Sequence, residues 1–132
     1  MTATYKNLRV TSTYQGDKVA PWDDKQQNYN NHVITVTNTE NGAVTRFDFW
    51  GSIANPELTK EYDVLNALYC FVSDAVSGKE NFENFCAEFG YDTDSRTAER
   101  TWKACKKSLE KLQRIYSGDI YDLANELSEV AG

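Results

Sequence analysis

The sequence predicts an α+β fold, with a small N-terminal antiparallel sheet of about three strands packed against a C-terminal bundle of about four helices. Two observations carry that reading. Runs of β-branched and aromatic residues with alternating character are confined to residues 1–52, whereas from residue 56 onward apolar residues recur at spacings of three and four. A third is local: Asn41-Gly42 sits between two such β-rich runs, and both residues tolerate the positive φ of a tight hairpin.

The first strand is expected within Thr4 to Tyr14, where Tyr5, Leu8, Val10 and Tyr14 alternate loosely with Thr, Asn and Arg. The hairpin arms are expected at His32 to Asn38 and Ala43 to Trp50, joined by Thr39 to Gly42. In the second arm Val44, Arg46, Asp48 and Trp50 share one parity and Ala43, Thr45, Phe47 and Phe49 the other, so one face belongs to the core. Residues 16–31 hold Gly16, Pro21 and a mostly polar run without a clear period, and read as one long connecting loop.

The helical part, 56–132, opens at Asn55-Pro56-Glu57, because proline is tolerated in a first helical turn. Leu58, Tyr62, Leu65, Tyr69, Val72 and Val76 form one stripe, and Val64, Leu68, Phe71 and Ala75 a second beside it. A helix apolar over so wide an arc is central to a fold. Ser77-Gly78 is expected to end it. A short helix with Phe82, Phe85, Cys86 and Phe89 on one face stops at Gly90, and Asp92 to Ser95 supplies short oxygen-bearing side chains to cap a third helix, roughly 95–116. Its narrow stripe of Ala98, Trp102, Cys105, Leu109, Leu112 and Tyr116 is too short for a free coiled coil and suits packing on the chain's own helices, while permitting a homodimer besides a monomer. After Ser117-Gly118, Asp119 caps a last helix with Ile120, Leu123, Ala124, Leu127 and Val130 inward.

At 132 residues a single domain, 1–132, is the expectation, large enough for a core without staples. The first ten residues contain no apolar stretch of signal-peptide length, and the most apolar segment, residues 64–76, is too short and polar for a bilayer span. The expected location is therefore the cytoplasm, with no membrane contact. Cys70, Cys86 and Cys105 are an odd number without a C-x-x-C pair, which reads as reduced thiols at core positions of helices and not as a zinc site.

No reaction centre is legible. His32 is the only histidine, and nothing places a serine or cysteine beside it, so no catalytic residue is assigned. Asp92-Thr93-Asp94 begins like a calcium loop, but Thr97 stands where the loop needs glycine and Lys103 where it needs glutamate. No glycine-rich phosphate loop occurs. Neither a metal nor a cofactor is expected, and the chain reads as a non-enzyme.

Charge is segregated within a net −6: residues 1–56 balance, 57–94 carry −7, 95–116 carry +5, and 117–132 carry −4. An acidic whole disfavours generic binding to phosphate backbones. The basic helix nevertheless offers an alternative nucleic-acid surface in Arg96, Arg100, Lys103, Lys106, Lys107 and Lys111. The acidic segments admit a third reading, imitation of phosphates, through charge complementarity. The better candidate for partner binding lies in the loop. There Trp22, Asp23, Asp24 and Tyr29 combine aromatic anchors with charge and hydrogen-bonding capacity.

One stretch carries a resemblance. Asn81 to Cys105 contains F-x-x-F-C-x-x-F-G-Y-D-x-D-S-R-x-A, running from Phe82 to Ala98 and followed by a basic, leucine-containing helix. It resembles small uncharacterised proteins encoded by tailed phages and prophages. The resemblance implies a phage accessory protein expressed inside a bacterium, of a kind that blocks host proteins or complexes, restriction and CRISPR systems among them. The motif residues are core, stop and cap positions, so the motif marks a shared fold more than shared chemistry.

Overall fold

An antiparallel meander makes up the first half of the chain. The computed structural model describes residues 1–20, 28–51, 58 and 60–131. Four strands, β1 (Thr2–Tyr5), β2 (Leu8–Val19), β3 (Asn28–Asn38) and β4 (Val44–Gly51), pair in the order β1-β2-β3-β4. Four helices follow: α1 (Glu61–Gly78), α2 (Phe82–Phe89), α3 (Arg96–Gln113) and α4 (Ile120–Ala131). The fold is α+β, as the two periodicities predict.

There are four strands, not three, because the first apolar run breaks at Lys6-Asn7. Tyr5 pairs directly with Leu8, and Lys6 takes a left-handed φ of 52° to close the turn. No glycine announces this turn, which costs roughly 1–2 kcal/mol for a side chain with a Cβ. Two anchors hold it in place. The Lys6 ammonium bonds the Glu126 carboxylate on α4, and the Asn7 carbonyl accepts from the Thr39 amide at 2.8 Å.

The expected 16–31 loop is mostly strand. β2 and β3 run antiparallel from Leu8↔Asn38 to Tyr14↔His32, slip by one residue, and continue from Asp17↔Asn30 to Val19↔Asn28. The slip is a β-bulge at Gln15-Gly16, and Gly16 adopts φ +93° to make it. A glycine and a polar run thus mimic a loop while extending a ladder. The β3–β4 hairpin turns where expected: Gly42 takes φ +75°, and the Asn38 amide donates to the Ala43 carbonyl at 2.8 Å.

The inner face of the sheet presents Leu8, Val10, Ile34 and Val36, all essentially inaccessible, to α1. α1 meets this face with Val64, Leu68, Phe71 and Val72, and Phe47 of β4 stacks on Phe71 with ring centroids 4.2 Å apart. Its other sides meet α3 and α4, which with the turn between them add Leu112, Ile115, Ile120, Leu123 and Leu127 to the same core. α1 is central, as its wide apolar arc predicts. The second stripe is buried throughout; of the first, Val72 is buried and Tyr62 is 55% exposed, and Cys70, expected at a core position, is exposed.

Helix ends follow local chemistry. The predicted start at Asn55-Pro56-Glu57 lies outside the described residues; α1 begins at Glu61, after an extended Lys60 whose amide donates to the Asp63 carboxylate. Gly78 does not stop α1 by turning left-handed. It is the buried last residue of the helix, and a Cβ there would lie 2.4 Å from the Cys105 carbonyl oxygen. Gly78 is therefore the point of close approach between α1 and α3. Gly90 does end α2, at φ +73°. The Ser95 side chain caps α3 by accepting from the Ala98 amide, and the Asp119 carboxylate caps α4 by accepting from the Tyr121 amide at 2.8 Å. Phe89 and Val130, expected inward, are about half exposed.

Candidate functional site

Of the loop residues singled out for partner binding, Trp22, Asp23 and Asp24 lie outside the described residues. Tyr29 is not in a loop. It belongs to β3, half-buried, opposite Lys18 of β2.

What the sequence concealed is the strand architecture around it. β1 pairs only with Leu8 to Thr11, while β2 continues to Val19. Among the described residues the second half of β2 therefore has β3 on one side and no strand on the other. Tyr14 and Val19 stand 48% and 45% exposed on this projecting half, with Gln15, Asp17 and Lys18 exposed between them. The Tyr14 hydroxyl donates to the Asp17 carboxylate across the bulge at 2.5 Å, and its ring lies 5.3 Å from that of buried His32. Aromatic, charged and apolar groups thus share a bare strand edge, the composition of interface anchors. The readable signal was the spacing Tyr14 to Val19 around a single glycine, which a bulge explains as well as a loop does.

The chemistry of the thiols runs against nucleophilic use. Desolvation, and then the Asp74 carboxylate, raises the Cys70 thiol and pushes that of Cys105 up to about 11. Desolvation followed by Asp92 raises Cys86 as well. A catalytic thiol needs the opposite shift, toward thiolate at neutral pH. His32 is buried in β3, while the three cysteines sit on α1, α2 and α3. Among the described residues no group of three or more His, Cys, Asp or Glu side chains could hold a metal ion. No described helix is long and apolar enough to cross a membrane.

The basic residues of α3 fall into an ordered arrangement. With 3.6 residues per turn, Arg96, Arg100, Lys103, Lys107, Lys111 and Arg114 lie along one side of the helix, opposite the buried Ala98, Cys105 and Leu112. The row spans about 27 Å. Lys111 is half-exposed and the other five are exposed. Lys103 bonds Glu99 one turn back at 3.0 Å, a surface pair that contributes little stability. Lys106 departs from the row and covers the Trp102 ring at 4.6 Å. Trp102 in turn donates to the Glu80 carbonyl at 2.9 Å and packs on Phe82. Lys106 therefore serves the α2–α3 junction, while the other five named bases and Arg114 form the ridge.

The acidic side chains are spread over all four helices and their turns, and are partly engaged. Asp63 and Asp119 cap helices, and Glu126 holds Lys6. That bond lowers the Glu126 carboxyl and raises the Lys6 ammonium relative to their ordinary values.

Comparison with models of protein families, with curated proteins and with solved structures finds no match for this chain.

Proposed function

We propose that this chain is a non-enzymatic accessory protein of phage type that works inside a bacterial cell. It binds a host protein or complex, such as a restriction or CRISPR system, and inhibits it by covering a surface. The supporting observation is the projecting half of β2, which offers Tyr14 and Val19 beside Asp17 and Lys18 on an edge that no other strand covers among the described residues. Such an edge gives a partner main-chain hydrogen bonds for affinity and side chains for selectivity. Immobilised chain and its Tyr14→Ala variant, each offered a bacterial lysate, test the reading. Wild type should retain a defined partner that Tyr14→Ala loses at an unchanged melting temperature. Equal retention by both would sink it.

The ridge on α3 favours a second reading, contact with a nucleic-acid backbone. Six bases in a line neutralise phosphates and release counterions, so binding would fall steeply with salt. A gel shift repeated at rising salt, with Lys103→Glu/Lys107→Glu as the variant, decides it. No shift at low salt, or a shift indifferent to that variant, removes the reading.

A further inference from the structure

The far edge of the sheet is self-complementary. β4 is the last strand in the order and, among the described residues, pairs only with β3, in unbroken register from Asn30↔Gly51 to Thr37↔Val44. Natural edge strands are usually blunted by short length, charged side chains (lysine above all), proline or a bulge, and the two charges that β4 carries are of opposite sign, which suits a self-complementary edge. β4 has eight residues, no proline and no lysine, and its pairing with β3 contains no bulge. Phe47, Phe49 and Trp50 are only half-buried, so apolar surface continues to the rim. On the outer face Arg46 and Asp48 are exposed, and Arg46 makes no ion pair among the described residues.

We propose that β4 docks on β4 of a second copy of this chain, antiparallel and centred on Phe47, giving one continuous eight-stranded sheet. The argument is charge register. Twofold antiparallel pairing places opposed residues on the same face, so allowed registers differ in steps of one residue in the position of the centre. Centred on Phe47, Arg46 faces Asp48 of the second copy, Asp48 faces its Arg46, Val44 faces Trp50, and Phe47 faces Phe47. Centred on Arg46 the two guanidinium groups oppose one another; centred on Asp48 the two carboxylates do. Opposed unlike charges stabilise a strand pair and like charges destabilise it, so the sequence selects the Phe47 centre. This surface is distinct from the β2 edge, which stays open in such a dimer.

Sedimentation equilibrium of the full chain is the test. Wild type should sediment at twice its 15.0 kDa. Arg46→Asp sets two carboxylates against each other at both crossings and should weaken association by about tenfold or more. The exchange Arg46→Asp/Asp48→Arg restores both pairs and should restore the dimer. Hydrogen exchange on the wild type gives a reading free of any variant: β4 amides slow as concentration rises. A monomer at every concentration, a dimer indifferent to Arg46→Asp, a loss the double exchange does not recover, or unchanged β4 exchange each overturns the proposal.

Discussion

The side-chain amide of Asn38 donates a 2.8 Å hydrogen bond to the main-chain carbonyl of Ile115, tying the end of β3 to the end of α3. Its oxygen accepts from the Glu40 amide at 2.9 Å and from the Asn7 side chain at 3.2 Å. One buried residue thus closes a helix C-terminus, a hairpin turn and the β1–β2 turn together. Asn38→Ala leaves those partners unsatisfied and should cost about 1–3 kcal/mol. Urea denaturation measures it, and a loss below about 0.5 kcal/mol would contradict the assignment.

Gly78 makes a second prediction. In an exposed helix, glycine to alanine gains about 1 kcal/mol. Here the added methyl meets Cys105 main chain at 2.4 Å, which no side-chain rotation relieves. Gly78→Ala should reverse the sign and destabilise by about 1–3 kcal/mol. A melting temperature equal to or above wild type would show that the two helices separate freely.

Acid stability should depend on Glu126. Its carboxyl is lowered in the folded chain by the bond from Lys6, so its contribution is present above the unfolded value, near 4.5, and fades as pH falls through the lower folded value. Lys6 works in the other direction: raised above 10.5, its contribution is present below that pH and is lost above it. Glu126→Gln should flatten the fall in melting temperature below pH 5, and added salt should mimic it, since both groups are solvent-exposed. An identical acid limb in the variant would refute this.

Asp74 points the opposite way. Although the residue keeps contact with solvent, partial desolvation raises its carboxyl, so the folded chain mildly disfavours its charge, and stability falls as pH rises through its titration. Asp74→Asn should stabilise at pH 7 and ease the upward shift on Cys70 and Cys105, both of which feel that charge. The comparison is a pair of thermal melts at pH 7; a lower melting temperature for the variant would be the contrary result.

The thiols give a prediction by labelling. Cys70 is exposed, whereas Cys105 is buried with its thiol raised to about 11. A thiol reagent at pH 8 should modify Cys70 first, leaving Cys86 and Cys105 protected until the chain unfolds. Simultaneous labelling of all three would show the α1–α3 interface to be open.

The fold class was legible because its two periodicities are strong and separated along the chain. Ser95, Asp119, Gly42 and Gly90 were legible because capping and left-handed turns restrict residue type. Lys6 was not, since its turn is held by Glu126, a residue 120 positions away. Gly16 and Gly78 were misread for a related reason: a glycine marks an unusual backbone need without saying which. One serves a bulge, the other a helix crossing. The α3 ridge was visible as a cluster, but separating Lys106 from it required the position of the Trp102 ring. The continuation of β2 had a trace in the spacing of Tyr14 and Val19 around Gly16, but its edge had none, because the edge follows from how short β1 is.

The meander has a consequence for how the molecule assembles. Every strand pairs with its immediate predecessor, so no ladder needs a distant segment to arrive first and loop-closure entropy stays small. During synthesis the four strands emerge before α1 does, with Leu8, Val10, Ile34 and Val36 still uncovered. The arrival of α1 is then the step that first covers the inner face of the sheet, before α3 and α4 complete the core.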